Sequence, residues 1–179
     1  METIAIQYYD SPCGTLILGG IADMLCLCDW ADSRHRQRTD IRLQRMLGAK
    51  YAFRDAYVVK RTMAELDEYF RGTRTTFDIS LLMTGTEFQK QVWRHLRDIP
   101  YGATISYGEE ARRIGRPAAV RAVANANGAN PVSILVPCHR VIGSNGALSG
   151  YAGGTAAKQW LLHLEQSVGQ NNCSVIGVV

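Results

Sequence analysis

Two side chains capable of covalent chemistry stand next to each other in "VPCHRVIG": Cys138 and His139. A free thiol near neutral pH is only a few per cent thiolate, so a nucleophilic cysteine needs a base or a positive neighbourhood. His139 is the closest base in sequence, and it needs an acceptor on its second nitrogen to fix its tautomer. From Ala111 to Leu164 the chain has no Asp or Glu, so the first carboxylate after the pair is Glu165, in "AAKQWLLHLE". Cys138, His139 and Glu165 are therefore a candidate nucleophile, base and orienting acid. Neighbouring side chains on an extended strand point to opposite faces. Cooperation thus requires the chain to turn at Cys138, or a water to bridge thiol and imidazole. The competing reading is a buried cysteine behind an apolar strand, with a solvated glutamate at a helix end. A zinc site is disfavoured because adjacent ligands match no usual spacing. A papain-like hydrolase is disfavoured because its cysteine opens a helix and its histidine lies far away.

The elements that must position these groups fall into two units. "IAIQYY", "TLILGGI" and "MLCLCDW" read as three short strands separated by the turn signals Ser11-Pro12-Cys13-Gly14 and Ala22-Asp23. "SRHRQRTDIRLQRMLG" reads as a charged loop leading into a short helix. In "RTMAELDEYFRG", Met63, Leu66 and Phe70 share a helical stripe that Gly72 can end. "SLLMTGTE" is then the connection. Thr86 to Gln89 form a capping box, with Phe88, Val92 and Leu96 behind it on one stripe, and Pro100 lies beyond the helix end. Ser106 to Glu109 form a second capping box for a helix reaching about Ile114, and Pro117 suits the first turn of the next helix. That next segment, "RPAAVRAVANANGANP", is mostly alanine, with Arg121 its one long side chain before Asn127. Helix, short turn, helix is the spacing of a helix-turn-helix. Methyl groups in place of polar readers suit either close helix packing or a narrow groove with Arg121 as the single probe. "VSILV", before Pro137, reads as a core strand that delivers Cys138. The boundaries expected are 1–82 for the α/β unit, 83–168 for the helical unit and 169–179 for a C-terminal tail.

The composition fits a globular chain: 46% hydrophobic and 20% charged residues over 179 positions. No run of apolar residues is long enough for a membrane span, and the start, with Glu2 and Asp10, lacks the pattern of a secretory signal. Five irregularly spaced cysteines argue against a disulfide framework and for the cytoplasm. Cys26 and Cys28 alternate within a strand pattern and read as core filler. The formal net charge of +4 is unevenly placed: the carboxylate-free stretch carries Arg112, Arg113, Arg116, Arg121, Arg140 and Lys158. A basic half beside a near-neutral half suits a polyanionic partner.

"NPVSILVPCHRVIG", "SGYAGG" and "KQWLLHLE" together resemble the active-site region of the O6-alkylguanine-DNA alkyltransferases, the methylated-DNA–protein-cysteine methyltransferases. The resemblance is strong over residues 86 to 165 and compatible before that. It implies a ribonuclease-H-like α/β domain followed by a mostly α domain with a helix-turn-helix. It also implies an irreversible, single-turnover transfer of the alkyl group from O6-alkylguanine, and O4-alkylthymine as well, in DNA. Cys138 would be the acceptor, His139 its base through a bridging water, and Glu165 the group orienting the imidazole. Tyr107 would donate a proton toward guanine N3, and Asn130 would brace the turn that presents the thiol. Val141 would read the base through its carbonyl, while Tyr151, Ala152 and Ser133 would line the pocket. Arg121 would fill the gap left by a flipped nucleotide, with Ala119, Ala122, Asn127 and Arg140 completing a minor-groove contact.

The resemblance implies no cofactor and no metal. Double-stranded DNA carrying the lesion is the partner, with no membrane, and the protein acts as a monomer. Ala152 stands where some members carry a serine, and Ser133 where some carry a second proline. The zinc cysteines of some members are not matched, Ile21 occupying one such position. A non-catalytic module that binds alkylated DNA is the alternative, and members of that kind replace the cysteine that is present here.

Overall fold

The computed structural model describes residues 2–173. Its first element is a hairpin, β1 (Thr3–Ser11) and β2 (Gly14–Ile21), paired antiparallel from Ala5 opposite Gly20 to Ser11 opposite Gly14. β3 (Met24–Trp30) adds antiparallel to β2. The three strands expected from alternation are joined by a fourth. β4 (Lys50–Phe53) lies parallel to β1, giving a mixed sheet in the order β3-β2-β1-β4. Four residues are too few to show a period. The pairing of β2 with β3 slips between Gly19 and Gly20. At that irregularity both Cys26 and Leu27 join one cluster, while Leu25 and Cys28 turn to the other.

Both sheet faces are covered. α1 (Arg36–Leu47) closes one face through Leu43, packed with Ile4, Ile6 and Ile17. It is a full 12-residue helix, not a short one at the end of a loop. α2 (Tyr57–Phe70) covers the other face with Val58, Val59, Leu66 and Tyr69, and it starts six residues before the stripe that announced it. Gly72, with φ of 74°, takes the left-handed position just past its end, and its N–H bonds the carbonyl of Tyr69.

The helical half shares this second cluster. Leu16, Leu18 and Cys28 of the sheet lie in one apolar body with Val92, Trp93, Val123 and Leu161. α3 (Glu87–Leu96) carries the full capping box: Thr86 Oγ1 accepts from Gln89 N–H, and the Gln89 amide accepts from Thr86 N–H. α4 (Tyr107–Arg113) has only half of its box. Ser106 accepts from Glu109 N–H, but the Glu109 carboxylate is drawn off by Arg112 and Arg113. α5 (Val120–Gly128) begins later than expected, because Pro117 sits in a separate turn before it. β5 (Ile105–Ser106) and β6 (Val141–Ile142) form a short parallel pair, and α6 (Gly154–Cys173) closes the chain. α6 thus runs into the segment expected to be a tail, and 174–179 lie outside the described residues.

No helix among the described residues is long and apolar enough to cross a membrane. Cys13, Cys26, Cys28 and Cys138 are all free thiols.

Candidate active site

The apolar run before Cys138 is not a strand. Val132 bridges Cys28, Ser133 bridges Val136, and between them Ile134 takes φ of 71°, a left-handed conformation rare for a β-branched residue. The segment is a buried tight turn pinned to the edge of β3 by Cys28 N–H to Pro131 O and Ser133 N–H to Cys28 O. Asn130 fastens it from inside. Its Oδ1 accepts from Val132 N–H, and its Nδ2 donates to Val136 O at 2.9 Å and to Cys138 Sγ at 3.3 Å. Cys138 then opens a single 3-10 turn, Cys138–Arg140, so the chain does turn at the thiol. The thiol is 6% exposed.

His139 and Glu165 are completely buried, with Nε2 and Oε1 2.7 Å apart. Glu165 is saturated with donors. Its Oε1 also accepts from Tyr69 Oη at 2.7 Å and Arg140 Nη2 at 3.0 Å, and its Oε2 from Arg140 Nε at 2.9 Å and Gly102 N–H at 3.1 Å. Gly102 has φ of 78°, and a Cβ there would sit 3.1 Å from the Glu165 carbonyl, so the approach needs glycine. Burial by itself would raise the Glu165 carboxyl, but the His139 bond and then the bonds and charge of Arg140 hold it well below the usual range. Burial pushes the imidazole down, with Glu165 opposing. A neutral ring that donates from Nε2 to the carboxylate keeps a lone pair on Nδ1. That nitrogen is buried and has no hydrogen-bond partner.

Burial pushes the Cys138 thiol up to about 11, against the opposing pull of the Asn130 bond and the Lys158 charge. At neutral pH it is therefore held as a protonated thiol. Tyr107 opens α4 and donates from Oη to Ser149 O at 3.2 Å. Burial, then Cys138 and Glu110, push this phenol to about 12, so it holds its proton at neutral pH. The Val141 carbonyl accepts from Lys158 Nζ at 2.6 Å. The Tyr151 ring meets Trp30 edge-on at 5.9 Å and lies 6.5 Å from the His139 ring. Gly153 packs directly on that indole, where a Cβ would come within 2.5 Å. Ala152 is half-buried beside it. Ser133 is buried in the tight turn, its hydroxyl unpartnered. A cleft of about 680 Å³ runs from Tyr107 and Ser149 along α5 to His35, Arg38 and Arg42 of the first unit.

Arg121 and Ala122 are exposed on α5, and Ala119 is half-exposed at its N-cap. Asn127 and Arg140, expected among the DNA contacts, are both buried. Asn127 is 5% exposed, and its Nδ2 donates to Glu110 Oε2 at 2.6 Å. Arg140 is 7% exposed and is spent on Glu165 and on the Ile99 carbonyl at 2.6 Å. The Arg140 guanidinium is the counter-ion of the buried Glu165 carboxylate.

Sequence reasoning missed Tyr69, Lys158 and Glu110. Tyr69 belongs to a unit read only for its fold. Lys158 was counted as surface charge, although an "AAKQWLLHLE" helix with a wide apolar stripe puts some of its polar positions inside. Glu110 was passed over beside Glu109, its half-exposed neighbour.

The description "6-O-methylguanine DNA methyltransferase, DNA binding domain" matches residues 87–167. A methylated-DNA–protein-cysteine methyltransferase of Mycolicibacterium paratuberculosis is 59% identical over 102 residues, 57% of this chain and 62% of that protein. One of Methanosarcina barkeri is 43% identical over 164 residues, 90% of this chain and 98% of that protein. Crystal structures of Mycobacterium tuberculosis O6-methylguanine methyltransferase, and of M. tuberculosis OGT in complex with DNA, both superpose with a TM-score of 0.78 at 41% identity. Each covers 92% of this chain and 94% of the other. With a buried thiol, imidazole and carboxylate in one region and the Methanosarcina barkeri protein matched over 98% of its length, the chain belongs to the methylated-DNA–protein-cysteine methyltransferase family.

Proposed function

We propose that the protein repairs alkylated DNA by moving the alkyl group from guanine O6 onto Cys138, once per molecule. The observation that carries this reading is the ordered set Cys138, His139 and Glu165, in which a protonated thiol sits beside a neutral imidazole anchored by an ionised carboxylate. His139 Nδ1 takes the thiol proton through a water. The sulfur attacks the alkyl carbon in line, the S–C bond forms and the C–O6 bond breaks with its electron pair left on guanine. Tyr107 supplies a proton to guanine N3 as that charge develops. His139 then gives up the proton it took and Tyr107 regains one through solvent, so in the net change one proton moves from the thiol to guanine, the alkyl group ends on sulfur, and no co-reactant is consumed. The product is a thioether that no group in the site can reverse.

Asn130 presents the thiol, Val141 reads the base through its carbonyl, and Tyr151 and Ala152 wall the pocket. α4 and α5 act as a helix-turn-helix, with the small face of α5, including Ala119 and Ala122, in the minor groove and Arg121 in the place of the flipped nucleotide. O4-alkylthymine is a second substrate, and the protein acts as a monomer. The division into a ribonuclease-H-like unit over 1–82 and a DNA-binding, alkyl-accepting unit over 83–168 belongs to the same reading.

The test is intact and peptide mass after incubation with duplex carrying O6-methylguanine. One added methylene on the peptide holding Cys138, never two, is expected. Lesion binding without any mass change would favour a damage-binding module instead.

A further inference from the structure

Lys158 is fully buried on α6, yet among the described residues it makes no ion pair. Its ammonium donates to Val141 O at 2.6 Å and Ser149 O at 3.3 Å. It lies 5.8 Å from the ring centre of Tyr107 and 5.9 Å from that of Tyr151. A buried cation normally brings its own carboxylate, because desolvation makes an unpaired one expensive. The other buried cation here obeys that rule: Arg140 is matched by Glu165. Lys158 instead has carbonyl dipoles and two aromatic faces, which soften the cost without cancelling the charge. Three of those groups border the acceptor thiol: Val141 follows its 3-10 turn, and Tyr107 and Tyr151 lie close enough to feel its charge, while Ser149 O also takes the Tyr107 hydroxyl. An ammonium has three donors, and two are committed.

We infer that Lys158 is the counter-charge of the Cys138 thiolate, an electrostatic positioning residue whose missing anion is created only when the thiol gives up its proton. The inference rests on the reading of Cys138 as acceptor and adds a second function for α6, which also supplies Glu165. The same ammonium fixes the Val141 carbonyl, so thiolate stability and the placement of a base-reading group share one side chain. Its effect on the thiol is favourable, and the thiolate in turn favours the ammonium, which burial otherwise pushes down. The other ionisable groups around the thiol are His139 from its own turn, Tyr107 and Glu110 from α4, Asp29 from β3 and Tyr151. Asp29 and Glu110 oppose the thiolate. Lys158 is the cation whose charge favours it.

The experiment is a pH titration of thiolate absorbance near the ultraviolet edge, taken as the difference between each protein and its Cys138→Ser counterpart. Lys158→Met should move the Cys138 midpoint up by a unit or more, a tenfold smaller thiolate fraction at a given pH, and Lys158→Arg should restore most of it. A folded Lys158→Met protein with an unmoved midpoint overturns the inference. If that variant does not unfold cooperatively, the reciprocal measurement decides. In Cys138→Ala the Lys158 ammonium, followed by NMR at its Cε, should titrate at lower pH than in the unaltered protein, and an unchanged midpoint overturns the inference. Neither readout uses DNA. Normal titrations with no transfer from O6-methylguanine would sink the proposed function alone, and transfer with flat titrations would sink the role of Lys158 alone.

Discussion

Two carboxylates are buried in the same half of the molecule and have been given opposite lives. Glu165 takes bonds from His139, Tyr69, Arg140 and Gly102 N–H, and is held firmly ionised. Glu110, 1% exposed on α4, has a single donor, Asn127 Nδ2 from α5. Its own Oε1 and the Asn127 Oδ1 are buried without partners. Burial pushes the Glu110 carboxyl up to about 7, with the Asn127 bond opposing. The difference shows that burial does not by itself decide the charge of a carboxylate; the number and sign of its donors do. The first environment supports proton transfer. The second puts a proton-sensitive joint between the helix that bears Tyr107 and the helix that bears Arg121.

The comparison can be broken most violently at Glu165. Glu165→Gln should slow alkyl transfer by roughly 10²–10⁴-fold, the range for loss of general acid–base assistance. It should also cost about 3–5 kcal/mol of unfolding free energy, because Arg140 is left buried without its partner. Single-turnover transfer and urea unfolding measure the two effects, and a near-normal rate would remove Glu165 from the relay. Arg140→Leu should destabilise by a similar order, about 3 kcal/mol. Among molecules still folded, it should leave the salt dependence of DNA binding unchanged. A shallower salt slope would return Arg140 to the phosphate contacts.

The third test uses pH. Glu110 has a folded pKa raised from 4.5 to about 7, so its contribution to stability is intact below 4.5 and is lost as pH rises through about 7. Glu165 has a depressed pKa, so its contribution is present above 4.5 and is lost as pH falls. A shift of that size at Glu110 corresponds to about 3 kcal/mol at most. Glu110→Gln should flatten the stability profile between pH 4.5 and 7 and stabilise the protein at pH 8 by about 1–3 kcal/mol, since a glutamine amide can give to and take from Asn127. An unaltered profile in thermal unfolding across that window would mean Glu110 stays ionised. The smallest effect belongs to Tyr69→Phe. One donor of several is lost from Glu165, so about 1 kcal/mol and a few-fold in transfer rate are expected. A loss as large as that of Glu165→Gln would show the donors acting as one unit.

What could be read in the sequence was local. The capping box at Thr86, the three-strand opening and the helix stripes depend on residues within a few positions of one another. The chemistry was readable as well, because a chain with no acid from Ala111 to Leu164 leaves Glu165 conspicuous. What escaped needs a distant partner. Tyr69 reaches Glu165 across 96 positions and Arg42 reaches the Ala129 carbonyl across 87, and nothing near either residue announces it. The burial of Arg140 and Asn127 escaped because a basic or amide side chain in a basic stretch carries no mark of being buried. "VSILV" satisfied a strand pattern, yet its ends are pinned by Asn130 and Cys28, so the middle must reverse and Ile134 takes up the strain.

The last helix also sets a clock. α6 supplies both Lys158 and Glu165, and each lies after the thiol in the order of synthesis. A chain emerging from the ribosome therefore carries Cys138 for some time before either charge arrives, with an unanchored imidazole and no counter-ion. On the proposed function, reactivity and completion of the fold would coincide, and a half-made copy would not spend its one alkyl transfer.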